Sequence, residues 1–256
     1  MSRTRNHRHL GFLALACLTA AVTACGGTGT GVTVEPATTS AAPPSASPQV
    51  SGRPRTPPAS PEATSESPPG FTAKVSAVSA RELGESWRPG CPVPTEDLRK
   101  VTMTYWGFDE RAHTGELVVH RAVTDDVTAV FRRLYDWRFP ITRMRTIDVY
   151  KGSDFDSIEA DNTSAFNCRR TTGASSWSKH AYGRAIDLNP RENPWVEPDG
   201  SVAHRNARAF AKRPLREPGV VNPGDRVVSL FEKYGWEWGG YFSGAKDYQH
   251  FSKGGG

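Results

Sequence analysis

The stretch between residues 26 and 70 contains no aromatic residue, yet it holds ten of the chain's 20 prolines. Most of its other residues are Ser, Thr, Ala and Gly. A segment of this composition buries too little apolar surface to offset the conformational entropy lost on ordering. We therefore predict a disordered tether over residues 25–70. A folded domain is expected over residues 71–256, which hold all seven tryptophans.

The chain also lacks an apolar run long enough for a comfortable membrane span. Three arginines precede the apolar residues 10–24, a run shorter than the about 20 residues that a spanning helix needs. This pattern is typical of a signal peptide, which we predict over residues 1–24. The run ends at Cys25 in Val-Thr-Ala-Cys, which resembles the lipobox of bacterial lipoproteins, where the cysteine is lipidated. A plain secretory cleavage site beside a cysteine is the alternative. The lipobox would anchor an exported lipoprotein on the outer face of the cell membrane, facing the cell wall.

The chain also has little net charge. The formal net charge of the whole chain is +5, and it falls to +2 when the three arginines of residues 1–24 are removed with the signal peptide. A charge this small gives no basis for nucleic-acid binding. The remaining partners to expect are a peptide substrate and the membrane, and we expect a monomer.

Only four cysteines are present. Cys17 would leave with the signal peptide and Cys25 would carry the lipid. Cys91 and Cys168 remain, and in an oxidising compartment they could pair. Two separate buried thiols are the alternative.

Regular alternation of strands and helices is absent from the domain, which argues for an α+β fold rather than a parallel α/β fold. We predict a single domain whose central, largely antiparallel sheet is flanked by helices. Apolar periodicity predicts its elements: a hairpin over 101–108 and 115–123, helices over 124–137 and 225–235, strands over 142–150, 185–189, 236–238 and 248–252, and a polar loop over 151–175.

The strand predicted over residues 185–189 carries an aspartate in an unusual setting. Side chains alternate along a strand, so Ile186 and Leu188 would enter the core and Asp187 would point the other way, into a cleft. Gly183 permits a turn that brings His180 over the same face. The stretch therefore offers two ligands of the kind that bind zinc.

A second polar cluster lies near the C-terminus, where Asp247 precedes His250 by three residues. His250 completes a set of two histidines and one aspartate, which leaves a fourth zinc position for water. Asp247 is placed to act as a general base. The alternation predicts that Tyr248 and His250 share one face.

These residues resemble a known family. Ser178-x-His180-x-x-Gly183-x-Ala185-x-Asp187, followed by Asp247-x-x-His250, is similar to the M15 zinc peptidases, which include D-alanyl-D-alanine carboxypeptidases and L-alanyl-D-glutamate endopeptidases. The resemblance implies a DD-peptidase/hedgehog-like fold, one zinc ion on His180, Asp187 and His250, and Asp247 as the base. It also implies that an arginine steadies the substrate; Arg169 is the first candidate and its neighbour Arg170 the second.

The expected activity is hydrolysis of peptidoglycan stem peptides, with D-alanyl-D-alanine carboxypeptidase the first expectation. An endopeptidase with the same site and a non-catalytic wall-binding module stay open. Ser178 and Trp177 are expected to contact the substrate. A nucleophilic role for Ser178 lacks the surrounding elbow motif. The acidic residues between 154 and 161 lack a calcium-loop pattern and are expected to form a solvated loop.

Overall fold

Ten strands and four helices, several of them very short, make up the part of the chain that the computed structural model describes, residues 70–254. The predicted signal peptide, Cys25 and nearly all of the tether lie outside these residues. The helices are α1 Ala80–Leu83, α2 Thr124–Asp136, α3 Asp154–Glu159 and α4 Arg226–Lys233. The strands are β1 Ala73–Ala77, β2 Leu98–Trp106, β3 Ala112–His120, β4 Arg143–Met144, β5 Asn162–Thr163, β6 Ala185–Asp187, β7 Trp195–Val196, β8 Trp236–Trp238, β9 Lys246–Asp247 and β10 His250–Lys253. Within residues 70–254, no helix is long and apolar enough to cross a membrane.

Two antiparallel sheets of three strands replace the single central sheet predicted from the sequence. One has the order β1-β2-β3 and the other the order β6-β10-β8. Two small ribbons accompany them: β7 pairs with β9 antiparallel, and β4 pairs with β5 parallel. The α+β class with antiparallel sheets is therefore confirmed, while the idea of one central sheet is wrong. The strands after β3 are too short and too widely interrupted to continue the first sheet.

The main hydrophobic core lies between these sheets and the two longer helices. Val127, Phe131 and Leu134 recur at helical spacing on α2 and are buried there. On α4, Phe231 stacks on Phe251 of β10 with ring centroids 3.8 Å apart. The same core includes Trp238, so helix α4 holds β8 and β10 from one side. The sheet β6-β10-β8 is thereby fixed against the rest of the domain.

Asp225 begins α4 as its N-terminal cap. The carboxylate accepts hydrogen bonds from the backbone N–H groups of Val227 and Val228, at 2.9 and 3.0 Å. These are donors that a helix start otherwise leaves unpaired. The predicted helices 124–137 and 225–235 are both observed, as is the hairpin of β2 and β3.

The predicted strand over residues 142–150 is largely wrong. Only Arg143–Met144 is extended, and Ile147–Tyr150 forms a 3₁₀ helix. The reason lies in the side chain of Asn162, which accepts a hydrogen bond from the N–H of Arg145 and donates one to its carbonyl. Because a side chain takes both backbone groups, they cannot join a strand ladder.

The predicted polar loop over residues 151–175 is also wrong in its first half. It contains α3 and β5, and Ser153 starts α3 by accepting a hydrogen bond from the N–H of Asp156 at 3.1 Å. Asp161 is only 3% exposed, so the acidic stretch is not wholly solvated. Asp161 lies close to Arg191, which also binds the buried Glu192.

Candidate metal centre

Three side chains from distant parts of the sequence meet at one buried point. His180, Asp187 and His250 each offer a ligand atom, and these atoms lie within 4.8 Å of one another. His180 Nε2 is 3.2 Å from Asp187 Oδ2, and His250 Nδ1 is 3.2 Å from Asp187 Oδ1. The two ring nitrogens are also 3.2 Å apart. These are the three residues that the sequence offered as zinc ligands.

The spacing of these donor atoms fits a zinc ion. In a tetrahedral site with bonds of about 2.0–2.1 Å, two ligand atoms are about 3.3 Å apart. The closest donor pairs here, at 3.2 Å, match that spacing. Two imidazoles and one carboxylate also form the three-ligand set of many catalytic zinc sites, which keep a fourth position open. The residues therefore fit the metal that the family resemblance implies.

His180 is carried by a tight turn that the local sequence specifies. Ser178 caps the 3₁₀ helix Lys179–Tyr182, because its hydroxyl accepts a hydrogen bond from the N–H of His180 at 3.3 Å. Gly183 ends this turn with a φ of 65°. A Cβ at Gly183 would lie 2.6 Å from the backbone N of His120, so only glycine fits between the turn and β3.

A backbone carbonyl fixes the orientation and tautomer of His180. The ring Nδ1 lies 2.6 Å from the carbonyl oxygen of Ala165, which can only accept, so Nδ1 carries the proton. In the neutral ring, which is the form that binds a metal, the lone pair is then on Nε2, the atom that faces Asp187 and His250. This outer contact is the usual way in which proteins orient a metal-binding histidine.

Strand pairing brings Asp187 and His250 together. Strands β6 and β10 are antiparallel neighbours, and Asp187 is the direct partner of His250 in their register. Directly paired residues project to the same face of a sheet. Ile186 and Leu188 enter the main core, as the alternation predicts, while Asp187 turns to the ligand cluster.

The two histidines stabilise the ionised form of Asp187. Burial acts to raise the pKa of this carboxyl, but the charge and hydrogen bond of His180, together with those of His250, outweigh burial and hold the pKa well below its usual range. For His250, burial acts to lower the pKa, whereas the hydrogen bond to Asp187 and the charge of Asp247 raise it. The charge of Arg169 opposes that rise.

Asp247 lies beside the ligands without joining them. Its Oδ2 is 3.9 Å from His250 Nδ1, beyond a direct hydrogen bond, and its Oδ1 is buried with no partner. Burial raises the pKa of Asp247 to about 6, with His250 opposing the rise and the charge of Asp187 adding to it. An unpaired, buried carboxylate oxygen with a raised pKa suits a group that takes up and returns a proton.

The backbone around Asp247 departs from the predicted strand. Residues 248–252 were expected to be continuous, but Tyr248 and Gln249 form a bend between β9 and β10. Tyr248 and Phe251 therefore both enter the main core, which contradicts the simple alternation. The bend lets the residues on its two sides, Asp247 and His250, face the same centre.

Gly239 packs directly against Asp247 and His250, a role that the sequence did not predict. A Cβ there would lie 2.5 Å from the carbonyl oxygen of Asp247, 2.9 Å from its Cβ and 3.2 Å from the Cβ of His250. The φ of Gly239 is not in the left-handed region, so the requirement is space. The sequence signal was the pair Gly239-Gly240 directly after β8.

The other candidate residues lie on the loop before His180. Arg169 forms an ion pair with Asp154, Nη2 to Oδ2, at 2.9 Å. Trp177 is half-buried against the smaller core cluster, and the guanidinium of Arg170 lies 3.8 Å above its ring. Ser178 is buried, and its role in this structure is to cap the turn of His180.

A disulfide joins Cys91 to Cys168, across 77 residues of sequence. The guanidinium of Arg88 donates a hydrogen bond to the carbonyl oxygen of Cys168 at 2.7 Å. The loop that carries Arg169 is thus tied covalently to the start of the domain.

Comparison with known proteins identifies the part of the chain that carries this centre. Residues 172–253 match a family model described as D-alanyl-D-alanine carboxypeptidase. The resemblance to the M15 peptidases is confirmed. The matched residues include His180, Asp187, Asp247 and His250, whereas Arg169 lies just before them. No curated protein and no solved structure matches the chain.

Proposed function

We propose that this M15-type peptidase is a zinc-dependent D-alanyl-D-alanine carboxypeptidase that hydrolyses peptidoglycan stem peptides. The observation that carries the proposal is the cluster of His180, Asp187 and His250, whose closest donor atoms have the spacing of a tetrahedral zinc site, with Asp247 beside it. When bound, zinc supplies a Lewis acid that polarises the peptide carbonyl and lowers the pKa of water.

Side chains of the chain itself transfer the proton, bind the metal and hold the substrate. Asp247 takes a proton from the attacking water and returns it to the leaving amine, because its free Oδ1 and raised pKa suit both steps. Asp187 serves as an ionised ligand, because a carboxylate must be deprotonated to bind a metal. Arg169 holds the carbonyl or the terminal carboxylate of the substrate through its guanidinium, which carries several donors in one plane.

The location of the enzyme follows from the N-terminal sequence. We propose export by residues 1–24, lipidation at Cys25, and a tether over residues 25–70 that lets a monomeric catalytic domain reach the wall from the outer face of the membrane. The disulfide between Cys91 and Cys168 agrees with an oxidising compartment.

A second candidate is an endopeptidase that uses the same centre on an internal peptide bond, since the ligands and the base are common to both activities. A wall-binding module without catalysis is the third. The orphaned Oδ1 of Asp247 favours catalysis, because a buried carboxylate oxygen without a hydrogen-bond partner costs stability and a binding module does not need one.

The decisive experiment compares the purified domain with Asp247→Ala and with Asp199→Ala, an exposed acid away from the centre. We expect about one zinc per chain in all three proteins, and hydrolysis only in the wild type and Asp199→Ala. Mass spectrometry of defined stem peptides identifies the bond: release of the terminal D-alanine supports the carboxypeptidase, and internal cleavage supports the endopeptidase. Equal inactivity of wild type and Asp247→Ala would leave the binding module.

A further inference from the structure

The backbone of Arg169 is held on both sides. The disulfide of Cys168 immediately precedes it. Its carbonyl oxygen accepts a hydrogen bond from the N–H of Ser178 at 3.1 Å, two residues before His180. Its own N–H donates to the carbonyl oxygen of Asn167 at 2.8 Å. The Cα of Arg169 is therefore fixed relative to the metal ligands, and only the side chain can choose where the guanidinium lies.

In the structure, Asp154 determines where the guanidinium of Arg169 lies. Its Oδ2 lies 2.9 Å from Nη2 of Arg169, a good length for a charge-assisted hydrogen bond. The other contact of the guanidinium is a weaker one, from Nη1 to the carbonyl oxygen of Arg170 at 3.3 Å. Nε is buried and has no acceptor. Without Asp154, no strong contact would orient the charged group.

The position of Asp154 is itself fixed. It is the first residue of α3, whose start Ser153 caps. The side chain of Asn167 donates a hydrogen bond to the carbonyl oxygen of Gly152 at 3.3 Å, which ties the start of α3 to the segment that carries Arg169. Both members of the ion pair thus project from anchored backbone.

The pair is partly exposed, with side-chain exposures of 27% for Arg169 and 30% for Asp154. A guanidinium has five N–H donors, and the contacts to Asp154 and to the carbonyl of Arg170 use one N–H each, on Nη2 and on Nη1. The second N–H groups of Nη1 and Nη2 can bind the oxygens of a carboxylate or carbonyl. An exposed ion pair of this kind contributes little to stability. Its main effect is therefore to orient the guanidinium of Arg169.

We propose that Asp154 is a positioning residue that orients Arg169 toward the carboxylate of a peptide substrate. The inference rests on the proposed function, because it takes Arg169 to be the group that holds the substrate. No pattern in the sequence singles out Asp154 among the neighbouring acids.

The test measures peptide binding in an Asp247→Ala parent, where hydrolysis is removed, by calorimetry with an acyl-D-alanyl-D-alanine peptide. Asp154→Asn should weaken binding about tenfold, since it releases the guanidinium from its orientation. Asp154→Glu should restore most of the affinity. Asp156→Asn is the matched control: it lies on the same helix, is exposed, and should leave the affinity unchanged.

Two further measurements separate orientation from a structural effect. In an Arg169→Met background, adding Asp154→Asn should change the affinity no further, because Asp154 acts through Arg169. Zinc content and Tm of Asp154→Asn should equal those of the parent. In the hydrolytic enzyme, the same substitution should raise KM more than it lowers kcat.

The outcomes distinguish this inference from the proposed function. If the wild type hydrolyses no stem peptide, the proposed function fails, and the binding comparison still decides the role of Asp154. If Asp154→Asn binds like Asp156→Asn, or loses zinc or Tm in proportion to affinity, the positioning role is overturned. A parent that binds no peptide also overturns it.

Discussion

Replacing Gly239 by alanine is the sharpest single test of how the centre is held. The added Cβ would lie 2.5 Å from the carbonyl oxygen of Asp247 and 2.9 Å from its Cβ. Carbon atoms pack best at about 3.5–4.0 Å, so the two segments must separate by about 1 Å. The atoms in the way belong to backbone and Cβ, which cannot swing aside as the end of a side chain can.

The separation should affect catalysis more than folding. A misplacement of about 1 Å in a catalytic group can cost about 100-fold in rate, while overpacking costs typically about 1–3 kcal/mol in the free energy of unfolding. We therefore expect kcat/KM of Gly239→Ala to fall about 100-fold, with a folded protein and a modest loss of Tm.

The assay is steady-state hydrolysis of a stem peptide, together with zinc content and thermal unfolding. Gly107→Ala is the control, because the three atoms nearest to a Cβ there belong to the side chains of Asp109 and His113, which are partly exposed and can move. It should retain wild-type kcat/KM. A Gly239→Ala enzyme with unchanged kcat/KM would show that Asp247 and His250 do not depend on this close packing.

Two further predictions concern stability. Burial and the charge of Asp161, against the opposing Arg191, raise the pKa of Glu192 to about 7. The folded state therefore binds more protons than the unfolded state between the ordinary glutamate pKa of 4.5 and about 7, and stability should fall as pH rises through that window. Thermal unfolding of Glu192→Gln should show a smaller fall, and parallel curves would contradict this. Replacing Cys91 and Cys168 together by alanine should lower the free energy of unfolding by about 4 kcal/mol in the chain-entropy model, measured by urea titration; no change would mean that the bond does not constrain the unfolded chain.

The direction in which Asp187 projects from β6 was predictable, because side chains alternate along a strand with a period of two residues. Ile186 and Leu188 alternate with Asp187, so burying two residues on one face fixes the direction of the third. Residue type and the family resemblance then offered His250 as the third ligand, while the pairing of β6 with β10 is seen only in the structure. The family resemblance added Arg169, which no local pattern marks.

What the sequence could not predict depends on contacts between distant segments. The strand over 142–150 fails because the side chain of Asn162, far along the chain, takes the backbone groups of Arg145. Asp161 seemed a surface residue because its local neighbours are polar, yet tertiary packing buries it. The tight space at Gly239 likewise exists only once β9 and β10 are in place.

The strand order of the sheet β6-β10-β8 determines when the metal centre can form during synthesis of the chain. Strand β10 lies between β6 and β8, although it follows both in the chain. The two outer strands are therefore made first and have no common partner until the middle strand arrives. Because β10 also begins with His250, the sheet closes and the third ligand arrives in the same event. A growing chain therefore cannot assemble the complete ligand set until β10 has been made.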